Sequence, residues 1–160
     1  MISAFDKKIK MILIKSGILK DTDADALVNE ARQNSTSFTE LILKKNIISE
    51  DVYLSAIANE MNIPPINPEK IQIDEKILKY LSEDKANYYG VIPIAKIGNV
   101  LTLAVYNPFD ILKLDDLRLL TGCDIRPVIS TEQIIRKKIQ KAYNPGEEEM
   151  SNILDNITDE

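Results

Sequence analysis

A chain of 160 residues has the length of one domain or of two small ones, on the usual scale of ~100–200 residues each. Hydrophobic residues at 44% and charged residues at 28% allow a folded core, while a net charge of −5 gives no general attraction to a phosphate backbone and argues against nucleic acid as a partner. Histidine is absent and Cys123 is the single cysteine, which removes the commonest general base, an internal disulfide and a cysteine-rich zinc site, and points to a reducing compartment.

The first apolar run, Met11 to Ile14, is closed by Lys15. That is shorter than the ~7–15 residues of a signal peptide or the ~20 of a spanning helix. Ile9, Ile12, Leu13 and Ser16 instead recur at near-helical spacing, with Gly17 as a stop. A second helix is expected from Asp21 or Thr22 as N-cap, with Ala24, Leu27, Val28 and Ala31 on one face. Thr36 is expected to cap a third, with Phe38, Leu41 and Ile42 inward. Ser49 opens a fourth, striped by Val52, Tyr53, Ala56, Ile57 and Met61, which must end before Pro64-Pro65.

Residues 8–34 echo residues 37–63 at an offset of 29: Ile9 with Phe38, Ile12 with Leu41, Leu13 with Ile42, Ile14 with Leu43, Gly17 with Asn46, Ile18 with Ile47, Val28 with Ile57. Gly17 and Asn46 both tolerate positive φ, so each unit reads as a helix, a tight left-handed turn, an apolar pair and a second helix. Neither unit alone can bury its face, which predicts that the two pack together.

Pro64, Pro65 and Pro68 with interleaved isoleucines read as an extended connector. Asp74 caps a short helix through Leu78 and Leu81, and the period then changes. Tyr89 to Ile97 and Val100 to Tyr106 flank Gly98-Asn99, which has the chemistry of a two-residue hairpin turn. Pro93 marks an edge or a bulge. A helix from Phe109 through Leu120 presents Ile111, Leu114, Leu117 and Leu120, and Gly122 stops it. Asp124 to Ile129 forms a third strand, and Ser130 or Thr131 caps a last helix carrying Ile134, Ile135, Ile139 and Ala142. After Tyr143 the run Asn144-Pro145-Gly146-Glu147-Glu148-Glu149 has linker composition, and Met150, Ile153, Leu154 and Ile157 repeat at helical spacing beyond it.

The expected fold class is therefore α+β. An N-terminal helical subdomain of two helix-turn-helix repeats covers 1–63 and an extended connector 64–73. A small α/β subdomain with a mostly antiparallel three-stranded sheet and packed helices covers 74–143, and an acidic linker or tail 144–160.

Catalytic patterns are missing. The five glycines stand apart, so neither GxxxxGK[ST] nor GxGxxG can be written. Asp21/Asp23/Asp25, Asp115/Asp116 and Glu147 to Glu149 lack a calcium-loop pattern and read as solvated helix starts and tail. Cys123 has no histidine to activate it. No catalytic residue, metal site or cofactor is expected.

The ordered segments Ala58 to Ile66, Tyr89 to Ile94, Gly98 to Val105, Asn107-Pro108-Phe109-Asp110 and Leu120 to Ile129 resemble the N-terminal domain of the assembly ATPases of type II secretion and type IV pilus systems. The resemblance covers roughly residues 8–143. It implies a cytoplasmic module, peripheral to the inner membrane, that precedes a motor domain and docks it onto the cytoplasmic part of an inner-membrane platform protein. Some members bind cyclic di-GMP through tandem motifs resembling RLGxxLVxxGxxxxxxLxxALxxQ, and the 29-residue echo lies where those motifs would be. The implied nucleotide-binding positions are Lys8, Ile9, Lys10, Leu13, Ile14 and Gly17 in the first copy and Ser37, Phe38, Ile42, Leu43 and Asn46 in the second. Both copies are eroded: Lys8-Ile9-Lys10 and Ser37-Phe38-Thr39 stand for Arg-Leu-Gly, Asn46 for glycine, Ala31 and Glu60 for glutamine. Arginine grips phosphate with a planar fork, lysine is a point charge and serine carries none, so affinity for a dianionic dinucleotide should fall. The reading is a docking and regulatory domain, with a cyclic di-GMP sensor as its rival.

Overall fold

The computed structural model describes residues 2–146, so residues 147–160, with Met150, Ile153, Leu154 and Ile157, lie outside the described residues. The chain divides into two units between Pro65 and Ile66.

The first unit is four helices: α1 (Ala4–Lys15), α2 (Asp21–Gln33), α3 (Phe38–Lys44) and α4 (Glu50–Met61). Ser3, Ser37 and Ser49 cap three of them, accepting from the amides of Asp6, Glu40 and Val52 at 3.1, 3.1 and 3.2 Å. Two expected caps shift by one residue. Lys20, with no side-chain cap, precedes α2, leaving Asp21 and Asp23 in its first turn against the helix dipole. Ser37 replaces Thr36 as the cap of α3, and the Thr36 hydroxyl donates to Glu40 Oε2 at 3.0 Å instead. Helix packing crosses the repeats, because α1 lies on α4 and α2 on α3. Ile9, Leu13, Phe38, Ile42 and Ile57 are fully buried there. At ~1.5–3 kcal/mol for each such side chain, this shared burial holds helices that are too short to stand alone.

The second unit begins with a 3-10 turn at Pro68–Lys70, followed by α5 (Glu75–Leu78) and α6 (Glu83–Tyr89). Then come β1 (Val91–Ile97), β2 (Val100–Val105), α7 (Ile111–Thr121), β3 (Asp124–Ile129) and α8 (Glu132–Tyr143). The fold is α+β, as expected. The sheet order is β1-β2-β3, with β2 central. β1 and β2 pair antiparallel from Val91 opposite Val105 to Ile97 opposite Val100, around Gly98-Asn99, and the register shifts between Pro93 and Ala95, where proline has no N–H to give. β2 and β3 run parallel, Val100 opposite Asp124 through Val105 opposite Ile129, so the sheet is mixed. The reason is α7, a crossover that returns the chain to the end where β2 began. Leu101, Leu103 and Ala104 of β2 pack with Ile92, Ile135 and Ile139 in the core.

Two further expectations are corrected. Tyr89 and Gly90 do not open the first strand: Tyr89 ends α6 and Gly90, at φ +65°, is its cap, donating its amide to the Ala86 carbonyl. α6 was missed altogether, although Ser82, which accepts from the Lys85 amide at 3.2 Å, marks its start. On α7 only Leu117 of the expected apolar face is buried, while Leu114 is half-buried and Ile111 and Leu120 are exposed.

Gly90 is constrained twice, because a Cβ there would also run into the Tyr106 ring, whereas Gly98, at φ +57°, faces open space. Gly98→Ala should cost about 1–2 kcal/mol, the left-handed penalty alone. Gly90→Ala should cost clearly more. Urea unfolding of both variants checks this, and equal losses would mean that the Tyr106 ring does not close over Gly90.

Candidate functional site

The two helix-turn-helix repeats end their first helices identically, hydrogen bond for hydrogen bond. In the first repeat Ser16 N donates to Ile12 O, Gly17 N to Ile14 O, and the amides of Ile18 and Leu19 both donate to Leu13 O, at 3.0 and 3.2 Å. Twenty-nine residues on, Lys45 N donates to Leu41 O, Asn46 N to Leu43 O, and the amides of Ile47 and Ile48 to Ile42 O, at 3.0 and 3.4 Å. Gly17 and Asn46 take φ of +75° and +53°. The left-handed residue lets two successive amides turn back onto one helix carbonyl, which only glycine and asparagine do at little strain.

The implied nucleotide positions fall into this frame. Ile9, Leu13, Phe38 and Ile42 are core residues, and Ile14 and Leu43 are half-buried beside them. The Ser37 hydroxyl accepts from the Glu40 amide as a helix cap, and Gly17 and Asn46 form the turns. Lys10 Nζ lies 2.6 Å from Asp25 Oδ1. Lys8 is exposed on α1. Apolar motif positions are thus brought together inside the helical unit, whereas the others, Lys8 apart, serve as a cap, an ion-pair partner and two turns.

Residues 61–149 match the MshEN domain family. The chain belongs to this family. The match covers the α/β unit, so the eleven implied nucleotide positions all precede it. Similar curated proteins are two type IV pilus assembly ATPases named PilB. The one from Myxococcus xanthus is 24% identical over 93% of this chain and 26% of its own length. The one from Thermus thermophilus is 28% identical over 86% of this chain and 16% of its own length. The chain therefore spans about a quarter or less of these relatives. Among solved structures, MshE with cdg, cyclic di-GMP, superposes with a TM-score of 0.68 at 18% identity, covering 84% of this chain and 98% of that one. The N-terminal domain of XpsE gives 0.64 at 21%, covering 89% and 99%. These likenesses carry the fold, and the resemblance to N-terminal domains of type II secretion and type IV pilus ATPases is borne out.

In this MshEN chain an open groove of about 450 Å³ runs between the first repeat turn and α4, lined by Ser16, Ile18, Asp51, Ser55, Asn59 and Glu60 among others. Its state follows from the repeat. At the corresponding place Lys45 ion-pairs with Glu30, whereas the equivalents of that pair, Ser16 and Asn59, are uncharged and form no such pair. Glu60, the stand-in for the motif glutamine, is held by Lys15 at 2.9 Å. A dianionic ligand lying here would face Asp51 and Glu60, and like charge opposes it.

A smaller hollow in the α/β unit, about 380 Å³, is lined by Glu83, Asn87, Arg136, Gln140 and Asn144. Its groups are already joined to each other: Arg136 donates to the Asn87 carbonyl, and Asn144 Nδ2 to Glu83 Oε1 at 3.0 Å. Beside it the Tyr143 hydroxyl donates to Leu81 O at 2.6 Å, and burial, with Glu83 adding, pushes its pKa up to about 12. Burial also raises Tyr106, reinforced by Glu132 and opposed by Arg136, whose guanidinium lies 5.9 Å from the ring centre. Neither phenol is poised to ionise near neutral pH. Among the described residues no group of three or more acidic, cysteine or histidine side chains is placed to hold a metal.

Sequence reasoning missed one polar contact inside the helical unit. Asp6 is 4% exposed, and its Oδ1 accepts from the Thr39 hydroxyl at 2.5 Å and the Thr39 amide at 3.3 Å, fastening α1 to the start of α3. Ser3-x-x-Asp6 marks the helix start but carries no signal of the bond to Thr39. The Thr39 side chain supplies the hydroxyl of this bond, which a glycine at that position could not. Asp6→Ala leaves a buried hydroxyl and amide without an acceptor and should cost about 1–3 kcal/mol in urea unfolding. Asp6→Asn, which keeps an acceptor, should recover part of the loss. A neutral Asp6→Ala would show that water replaces the bond.

Proposed function

We propose that this chain is a non-catalytic docking and regulatory N-terminal domain of a type II secretion or type IV pilus assembly ATPase, binding the cytoplasmic part of an inner-membrane platform protein. The placement of the motif residues carries the reading. Ile9, Leu13, Phe38 and Ile42 are core, Ser37 is a cap, Lys10 is paired, and of the positions that would grip a ligand Lys8 is the one exposed cation outside the ion pairs of the described residues. The sequence contains no phosphate loop, which fits a division of labour in which nucleotide hydrolysis belongs to a motor domain. On this reading the module works in the cytoplasm and reaches the inner membrane through its partner. Among the described residues no helix is long and apolar enough to cross a membrane.

The rival, a cyclic di-GMP sensor, is favoured by the fold shared with MshE with cdg. Pull-down of the chain with the cytoplasmic domain of the cognate platform protein, paired with calorimetry against cyclic di-GMP, separates the two. The docking reading predicts retention of the platform domain and no heat from the dinucleotide. A salt-dependent heat lost on Lys8→Ala, with no platform binding up to high micromolar concentration, would establish the sensor instead.

A further inference from the structure

Helix α7 carries six large apolar residues and buries one. Leu117 is 1% exposed and Leu114 half-buried, but Leu112 is 76% exposed, Leu119 84%, Ile111 68% and Leu120 49%. At 100° per residue, Ile111, Asp115, Leu119, Leu112 and Asp116 follow one another around the outward side of the helix, away from Leu117, with Leu120 at its edge. A helix that is apolar on both sides is ordinarily covered on both, and here the sheet covers one. Leu112 and Leu119 form the ridge of the outer face, two turns apart, and Asp115 and Asp116 flank it at mid-height. The nearest cations of α7 itself, Lys113 and Arg118, lie at the borders of this arc, facing Asp110 at 4.0 Å and Asp115 at 2.5 Å, which leaves Asp116 without a countercharge among the ion pairs of the described residues.

These charges select the occupant. An anionic lipid surface would be repelled. A second copy would set Asp115 and Asp116 against the same pair, and residues 147–160 bring Glu147, Glu148, Glu149 and further carboxylates of their own. We propose that the outer face of α7 is the docking surface for an amphipathic helix of a partner protein, with apolar residues about two turns apart and lysine or arginine between them. Apolar side chains would cover Leu112 and Leu119, and the basic groups would reach Asp115 and Asp116. This names a surface for the docking reading and rests on it for the partner's identity.

Two synthetic helices of about 18 residues, with paired leucines two turns apart and either lysines or glutamates between them, test the surface on the full chain by fluorescence anisotropy and amide shift mapping. The lysine helix should bind about tenfold tighter than the glutamate helix, shift the amides of residues 111–121, and lose its binding to the Leu112→Ser/Leu119→Ser variant, which should melt as the wild type does. Equal binding of the two helices, shifts centred elsewhere, or indifference to the variant would overturn the proposal. So would capture of the chain through Leu112 and Leu119 by vesicles of phosphatidylserine. A pull-down keeps the two readings apart. If the platform domain binds wild type and variant alike, this surface fails and docking stands. If it binds neither while the lysine helix still maps to α7, the platform assignment fails and the surface stands.

Discussion

Short helices must bury their apolar faces on something, and this one constraint organises the chain. None of the described helices exceeds 13 residues, near the length at which isolated helices are marginal in water, so each depends on what it lies against. The helical unit meets the constraint by exchange: α1 lies on α4 and α2 on α3, so that neither repeat is complete without the other. The α/β unit meets it around β2, whose neighbours on both sides and whose Leu101 and Leu103 form the centre of a core shared with α8. α7 meets it on one side only.

The same constraint accounts for what the eroded motif has become. The positions set against Arg-Leu-Gly in the two repeats carry Lys8 and Lys10, and Ser37 and Thr39. Thr39 joins Asp6 across the helices and Ser37 caps α3, so these two polar residues support packing and capping. The apolar positions were always needed inside, and the turn residues are needed for geometry whatever ligand is present. A repeat can therefore keep its recognisable pattern through packing and turn geometry alone. Lys45 and Glu30 in one arrangement and Ser16 and Asn59 in the other differ in charge, while the two backbone turns make the same hydrogen bonds.

Much of the fold was legible from residue order. The 29-residue echo located both left-handed turns because Gly17 and Asn46 are among the few residues suited to them, and Gly98-Asn99, Ser49 and Thr131 announced a hairpin and two helix starts through local chemistry. The misses have physical reasons. α6 is seven residues long, and the apolar run after Gly90 drew that glycine into a strand although its positive φ belongs to a helix end. The phase of α7 could not be read, since leucines on opposite sides give no periodic signal of which side is inward. The parallel pairing of β3 depended on where the crossover delivers the chain, and the exchange of helix partners on tertiary contacts that no local pattern encodes. Of the candidate site, the apolar members were legible as core, and Asp6 was hidden because its partner lies 33 residues away.

Native-state hydrogen exchange in low denaturant tests most directly whether the repeats share one burial. The most protected amides of all four helices between residues 4 and 61 should open with a common free energy and a common dependence on denaturant. Two separate opening energies, one for α1 with α2 and another for α3 with α4, would contradict the interlocked packing on which the account rests.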